Sequence, residues 1–231
     1  MTLPLLNDTP KYELKIPSTG KKVKYRPYLV KEEKILLMAN ESKDKQTILE
    51  AVVDTIRACT NNKINTKDLA TFDLEYIFLK LRAKSVGENV TLYLPCSEKE
   101  CKQRNEVLVN LDEVQCPVSE DTETIIKITD DISVEMKYPT FAQVGDDASD
   151  AGFNMIASCI KAILTNEEKI LLEDESPKEV QSFLESMTRV QFDSISNWVQ
   201  NLPQVEYTIE FDCTSCGEHN EIEVKGLENF F

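Results

Sequence analysis

The sequence predicts an α+β fold built from one module used twice: a β-hairpin, two or three helices, and a second β-hairpin whose turn carries two cysteines. Three observations predict it. Short apolar–polar alternations recur at matching places in the two halves, apolar stripes at helical spacing lie between them, and each half closes on a cysteine pair set between two alternating runs. The halves are read as residues 1–118 and 119–231, internally duplicated and related by a pseudo-two-fold arrangement.

The elements follow in order. Leu14 to Ile16 and Val23 to Tyr25, closed by Pro27, read as the first hairpin; Ile126 to Ile128 and Met136 to Tyr138, closed by Pro139, repeat it. A helix carrying Ile56-Arg57-Ala58 is expected to return as Ile160-Lys161-Ala162, each soon followed by a Thr-Asn step at Thr60-Asn61 and Thr165-Asn166. The next helix opens with Phe72-Asp73 and reaches Phe78; its counterpart opens with Phe192-Asp193 and reaches Trp198. Val90, Leu92 and Leu94 then alternate into Cys96, as Tyr207, Ile209 and Phe211 alternate into Cys213. The returning strands begin Asn105-Glu106 and Asn220-Glu221. One such match is noise, but five in the same order are not.

The helical stripes read as core. In the first half these are Ile48, Leu49, Val52, Val53 and Ile56, then Leu74, Ile77, Phe78 and Leu81, with Asn65 or Thr66 placed to cap the turn before and Gly87 beyond the end. In the second half they are Met155, Ile156, Ile160, Ile163 and Leu164, then Phe192, Ile195, Trp198, Val199 and Leu202. The acidic stretch 113–123, with Pro117, reads as the connection between halves, and 145–150 and 173–177 as loops.

Composition narrows the function. The 41% hydrophobic and 29% charged fractions are those of an ordinary globular chain. The net charge of −15 opposes nucleic-acid binding, which gathers Lys and Arg against phosphates. The one basic stretch, Lys21 to Arg26, alternates as a solvated strand face would. The start of the chain lacks a charged, apolar leader and no run approaches the length of a membrane span, so a reducing cytoplasm and no membrane are expected. Seven cysteines, an odd number, suit thiols or metal ligands better than a disulfide framework.

Cys96-x4-Cys101 and Cys213-x2-Cys216-Gly217 are the residues that look like a chemical site. Two cysteines on a tight hairpin turn aim both sulfurs at one point, and Zn2+ takes four such ligands in a tetrahedron. Neither pair closes a shell alone; two pairs do if the halves bring their hairpin tips together. The expectation is therefore one structural Zn2+ on Cys96, Cys101, Cys213 and Cys216, against the plainer alternatives of free thiols or a lost site. A redox role for Cys213 and Cys216 stays open, although redox pairs usually open a helix. His219 is a ligand, a donor to a ligand or a solvated loop residue. Cys59 and Cys159 read as small core residues in helices, and Cys116 has no assigned role.

No catalytic residues are found. With one histidine, no Ser-His-Asp or Cys-His set stands out, and there is neither a P-loop nor a GxGxxG. Paired carboxylates such as Glu32-Glu33, Asp146-Asp147 and Glu167-Glu168 read as solvated surface in so acidic a chain. No small-molecule ligand is expected.

The segment IPSTGKKVKYRP, from Ile16 to Pro27, and KEEKILL, from Lys31 to Leu37, resemble the N-terminal signature of the T4-type bacteriophage baseplate hub family. The rest of the chain is similar in length, helix placement and late cysteine pairs. The resemblance implies a structural or assembly role, chaperone-like, through binding other baseplate hub or tail proteins. It places the chain in the host cytoplasm during assembly or in the tail baseplate, and carries over no site residues. The terminal Asn229-Phe230-Phe231 is either a docking element or packs on the protein's own sheet. The competing reading is a zinc-knuckle adaptor binding nucleic acid, which needs a basic face near the cysteines where only Lys99, Lys102 and Arg104 lie.

Overall fold

The structure, a computed structural model, describes residues 9–119, 124–140 and 151–230. Its contacts divide the chain into two compact units: residues 1–66, 72–117 and 204–231 form the first, and 67–71 with 118–203 the second. The last hairpin, within residues 204–231, belongs to the first unit. The acidic pair Asp146-Asp147 and the loop 145–150 lie outside the described residues, as does Phe231.

The first unit opens with the hairpin β1 (Tyr12–Lys15) and β2 (Lys22–Tyr25), paired Tyr12 to Tyr25 and Leu14 to Val23. Period two puts Leu14, Ile16, Val23 and Tyr25 inward and the lysines of β2 outward. Two contacts explain why the signature-like segment reads as it does. Ser18 donates from its amide (2.9 Å) and hydroxyl (2.5 Å) to the Asp73 carboxylate, and Arg26 pairs with Glu32 at 2.9 Å. Helix α1 (Val30–Ser42) follows, then α2 (Lys45–Cys59), whose first turn is capped by Asp44 accepting from the Thr47 amide. Val52, Val53, Ile56 and Cys59 are the buried stripe of α2. Asn61 and Asn62, both left-handed (φ 53° and 55°), end it, a conformation asparagine tolerates better than most residues.

Helix α3 (Thr71–Ser85) leads into the hairpin β3 (Asn89–Pro95) and β4 (Arg104–Asn110). Lys80 of α3 is buried, and its ammonium donates to the carbonyls of Leu111, Asp112 and Val114 at 2.7–3.0 Å, fixing the chain after β4. The hairpin β9 (Glu206–Asp212) and β10 (His219–Lys225) completes the unit, and Gln115 and Glu206 exchange backbone hydrogen bonds at its start. Leu79, Val90, Leu92, Val109, Ile209 and Val224 share one core cluster with Phe230, which is fully buried. So Phe230 packs on the protein's own sheets.

The second unit is a four-stranded antiparallel sheet in the order β5 (Ile125–Lys127), β6 (Ile132–Met136), β7 (Ile160–Thr165), β8 (Lys169–Leu171). Three helices accompany it: α4 (Ala151–Ser158), α5 (Pro177–Glu185) and α6 (Arg189–Gln200). Ser176 with Glu179, and Thr188 with Gln191, form capping boxes that start α5 and α6. Val134, Met136, Ile156, Ile160, Leu184 and Ile195 are its core. Among the described residues no helix is long and apolar enough to cross a membrane.

One expected helix is a strand. Ile160, Ile163 and Leu164 were to extend the stripe of Met155 and Ile156, but α4 stops at Ser158 and the chain turns into β7, paired with both β6 and β8. Ile160, Ala162 and Leu164 alternate as well as they repeat helically, and β-branched isoleucine suits a pleated surface with partners on both sides. Cys159 is buried as expected, but in the turn after α4 rather than within a helix. Thr165-Asn166 accordingly sits at the β7–β8 turn, whereas Thr60-Asn61 ends a helix.

Candidate metal centre

Two hairpin turns, 112 or more residues apart in sequence, carry the four cysteines. Cys96 follows directly on β3 and its amide donates to Gln103 across the turn at 3.0 Å; the Cys101 amide donates to Glu98 at 3.0 Å. Cys213 follows directly on β9, with its amide on Glu218 at 2.8 Å and its carbonyl accepting from Gly217 at 2.9 Å. Gly217 stands at φ 77°, in open space, so the turn requires glycine for its backbone angle alone.

The four sulfurs lie within 4.8 Å of one another. The short contacts cross between hairpins: Cys96 to Cys216 at 3.6 Å and Cys101 to Cys213 at 3.7 Å. A tetrahedral ion bonded to four thiolates at about 2.3 Å sets its sulfurs about 3.8 Å apart. The donor set and its spacing therefore fit one metal ion. Cys213 is buried, Cys96 and Cys101 are half-buried and Cys216 is exposed, so the cluster has an inner and an outer side.

Two asparagines hold the turns against each other. Asn105, 2% exposed, reaches from β4 to the other hairpin: its Oδ1 accepts from the Thr214 amide (2.9 Å) and hydroxyl (3.0 Å), and its Nδ2 donates to Cys213 Sγ at 3.7 Å. Asn220, 1% exposed, reaches back from β10: its Oδ1 accepts from the Ser97 amide at 2.6 Å, and its Nδ2 donates to Glu218 O at 2.7 Å. The correspondence is close. Each asparagine pairs across its own hairpin with the residue two before the first cysteine (Leu94, Phe211), and each takes the amide of the residue after the opposite hairpin's first cysteine. The sequence marks both with the same Asn-Glu step, but nothing local says that they cross over.

The local field is uneven. The amides of Cys216 and Ser215 pull the Cys213 thiol down to about 6. The Glu218 amide favours the Cys216 thiolate, yet desolvation and the neighbouring sulfurs push that thiol up to about 12. Desolvation also raises Cys96. Four sulfurs this close cannot all carry charge without a cation among them. The remaining cysteines lie elsewhere: burial raises the thiols of Cys59 and Cys159 to about 11, and burial with Asp73 and Glu75 nearby raises Cys116 to about 12.

His219 is exposed and joined to Asp212 through Nδ1 at 2.9 Å, outside the sulfur cluster. Around the turns, Lys99, Lys102 and Arg104 stand beside Glu98, Glu100, Asp212 and Glu218, so the tips carry no net basic face. Of the carboxylate pairs, Glu167-Glu168 is exposed as expected, but Glu32 is not: it is 5% exposed and ion-paired. Burial opposes ionisation of Glu32; Arg26 and the Leu29 amide outweigh it and hold the carboxyl below its ordinary value.

The family described as T4 bacteriophage base plate protein matches residues 9–231. The chain is 28% identical over 221 residues to the baseplate hub assembly protein gp26 of Enterobacteria phage T4, an alignment covering 95% of this chain and 97% of that protein. No solved structure matches the chain.

Proposed function

Because the chain belongs to the T4 bacteriophage base plate protein family, we propose that it helps to assemble the baseplate hub of a contractile phage tail, chaperone-like, by binding other baseplate proteins and without catalysing a reaction. The observation that carries the reading is the likeness to a baseplate hub assembly protein along nearly the whole of both chains. The work is done in the host cytoplasm during assembly, with the tail baseplate as destination for any chain that stays. Phage lacking this chain should yield incomplete hubs, and the chain should be recovered from infected cells together with hub proteins. Tails of normal yield and composition in its absence would overturn the reading.

In the same reading Cys96, Cys101, Cys213 and Cys216 hold one structural Zn2+. Bound there, zinc supplies a cross-link with all four positions taken by sulfur and none open to substrate. The sulfur spacing supports it, as do Asn105 and Asn220, which brace the two turns against each other. The matched registers and crossed asparagines also support reading the halves 1–118 and 119–231 as diverged copies of one module. The competing nucleic-acid adaptor wants a basic face at the hairpin tips, and the balanced charges there do not favour it.

A further inference from the structure

Helix α1 has two features unusual for a surface helix. It buries a carboxylate, Glu32, and leaves apolar side chains in water: Val30 is 79% exposed, Leu37 59% and Met38 61%. Val30, Leu37 and Met38 are seven and eight residues apart and fall on one side of the helix, with exposed Lys34 between them and Ile35, 54% exposed, next to Met38. Single exposed apolar residues need no explanation, but four on one helix do.

At the N-terminal end of that helix lies a cavity of about 460 Å³, lined by Lys11, Lys24, Arg26, Lys31 and Lys63, with Leu29 and Asn61 on its wall and no carboxylate in its lining. Arg26 and Lys31 share Glu32. Lys11, Lys24 and Lys63 make no ion pair with any described residue, as several surface lysines elsewhere do not; what sets them apart is that they line one concavity. In a chain with 41 acidic and 26 basic residues, five cations lining one concavity against the single carboxylate of Glu32 make a local positive site.

We propose that this cavity and the outward stripe of α1 together dock an acidic amphipathic helix of a partner protein, its apolar side on Val30, Leu37 and Met38 and its carboxylates in the lysine-lined cavity. Charge complementarity selects the acid, and the adjoining stripe selects an apolar side next to it. A nucleic acid would meet apolar side chains where it needs cations. A flat anionic membrane cannot enter the concavity, and it repels a body of net charge −15. The proposal rests on the reading of the chain as a partner-binding assembly protein, and names the chemistry of one partner segment.

The test uses the full chain and a fluorescent synthetic helical peptide of about five turns, leucine along one side and glutamates clustered at one end. Binding is expected in the micromolar range and to weaken by about tenfold or more when Lys11, Lys24 and Lys63 are changed to Glu, and similarly for Val30→Ser with Leu37→Ser. A peptide of the same composition with its glutamates scattered should bind about tenfold more weakly. Circular dichroism checks that the variants, all at exposed positions, fold as the parent does. Equal binding by parent and variants overturns the proposal. So does displacement of the peptide by millimolar inorganic phosphate, sedimentation of the chain with phosphatidylcholine–phosphatidylglycerol vesicles, or lysine-dependent self-association marking a second copy as the occupant. No baseplate component is present, so failure here with tails still dependent on the chain overturns this docking surface alone.

Discussion

The β3–β4 and β9–β10 hairpins do the same job with different degrees of preparation. In β9–β10 the two cysteines are separated by two residues, a glycine closes the turn, and amides of the turn itself point at the Cys213 sulfur, which is buried. In β3–β4 the cysteines are separated by four residues, the turn has no glycine, and the Cys96 thiol is raised rather than lowered. The contrast lies at the first cysteine of each hairpin alone, because the second cysteine of β9–β10, Cys216, is itself pushed up to about 12. Each is positioned by the partner's asparagine, so neither half of the site is independent of the other.

Removing the proposed zinc should have the largest effect. A chelator, or Cys213→Ser, should remove about one zinc per chain and destabilise the protein by about 4 kcal/mol where free zinc stands a thousandfold above its dissociation constant, read by metal analysis and denaturant unfolding. If the hairpins are unequal, Cys96→Ser should leave more residual zinc than Cys213→Ser; equal losses would break the comparison.

Glu32→Gln probes the same unit away from the hairpins. It leaves Arg26 without its charge partner, at a cost of about 2–3 kcal/mol, and should leave zinc stoichiometry unchanged. Because the folded-state carboxyl is held below its ordinary value, its contribution is full above the unfolded value and is lost as pH falls through the folded one. An acid titration of stability should therefore be flatter in Glu32→Gln than in the parent.

The asparagines sharpen the comparison further. Asn105→Ala strands both donors of Thr214 and the approach to Cys213, costing about 2 kcal/mol, while Asn220→Ala strands the Ser97 amide and costs about 1 kcal/mol. Unfolding and zinc affinity measured on both should rank them in that order. Last comes His219→Ala, which removes one exposed pair with Asp212 and should leave stability unchanged within measurement, with zinc retained. Loss of zinc there would make His219 a ligand.

Much of this was legible in the chain. Period-two runs meeting at cysteines located β3, β4, β9 and β10, because alternation and a turn are local properties. Phe72-Asp73 and Phe192-Asp193 marked α3 and α6 for the same reason. Ile160-Lys161-Ala162 was not legible: its apolar spacing fits both periods, and only the edges of β6 and β8 decide it. Glu32 was hidden because its partner Arg26 lies in a different element. Asn105 and Asn220 were visible as a repeat but not as crossed braces, since their partners sit more than 100 residues away. The exposed stripe of α1 escaped because an apolar run does not say which of its sides meets water.

The most direct measurement is X-ray absorption at the zinc edge of the purified chain. The account predicts one zinc per chain in a shell of four sulfurs at about 2.3 Å. A shell containing nitrogen or oxygen ligands, or a chain that binds no zinc with all four cysteines reduced, would contradict it.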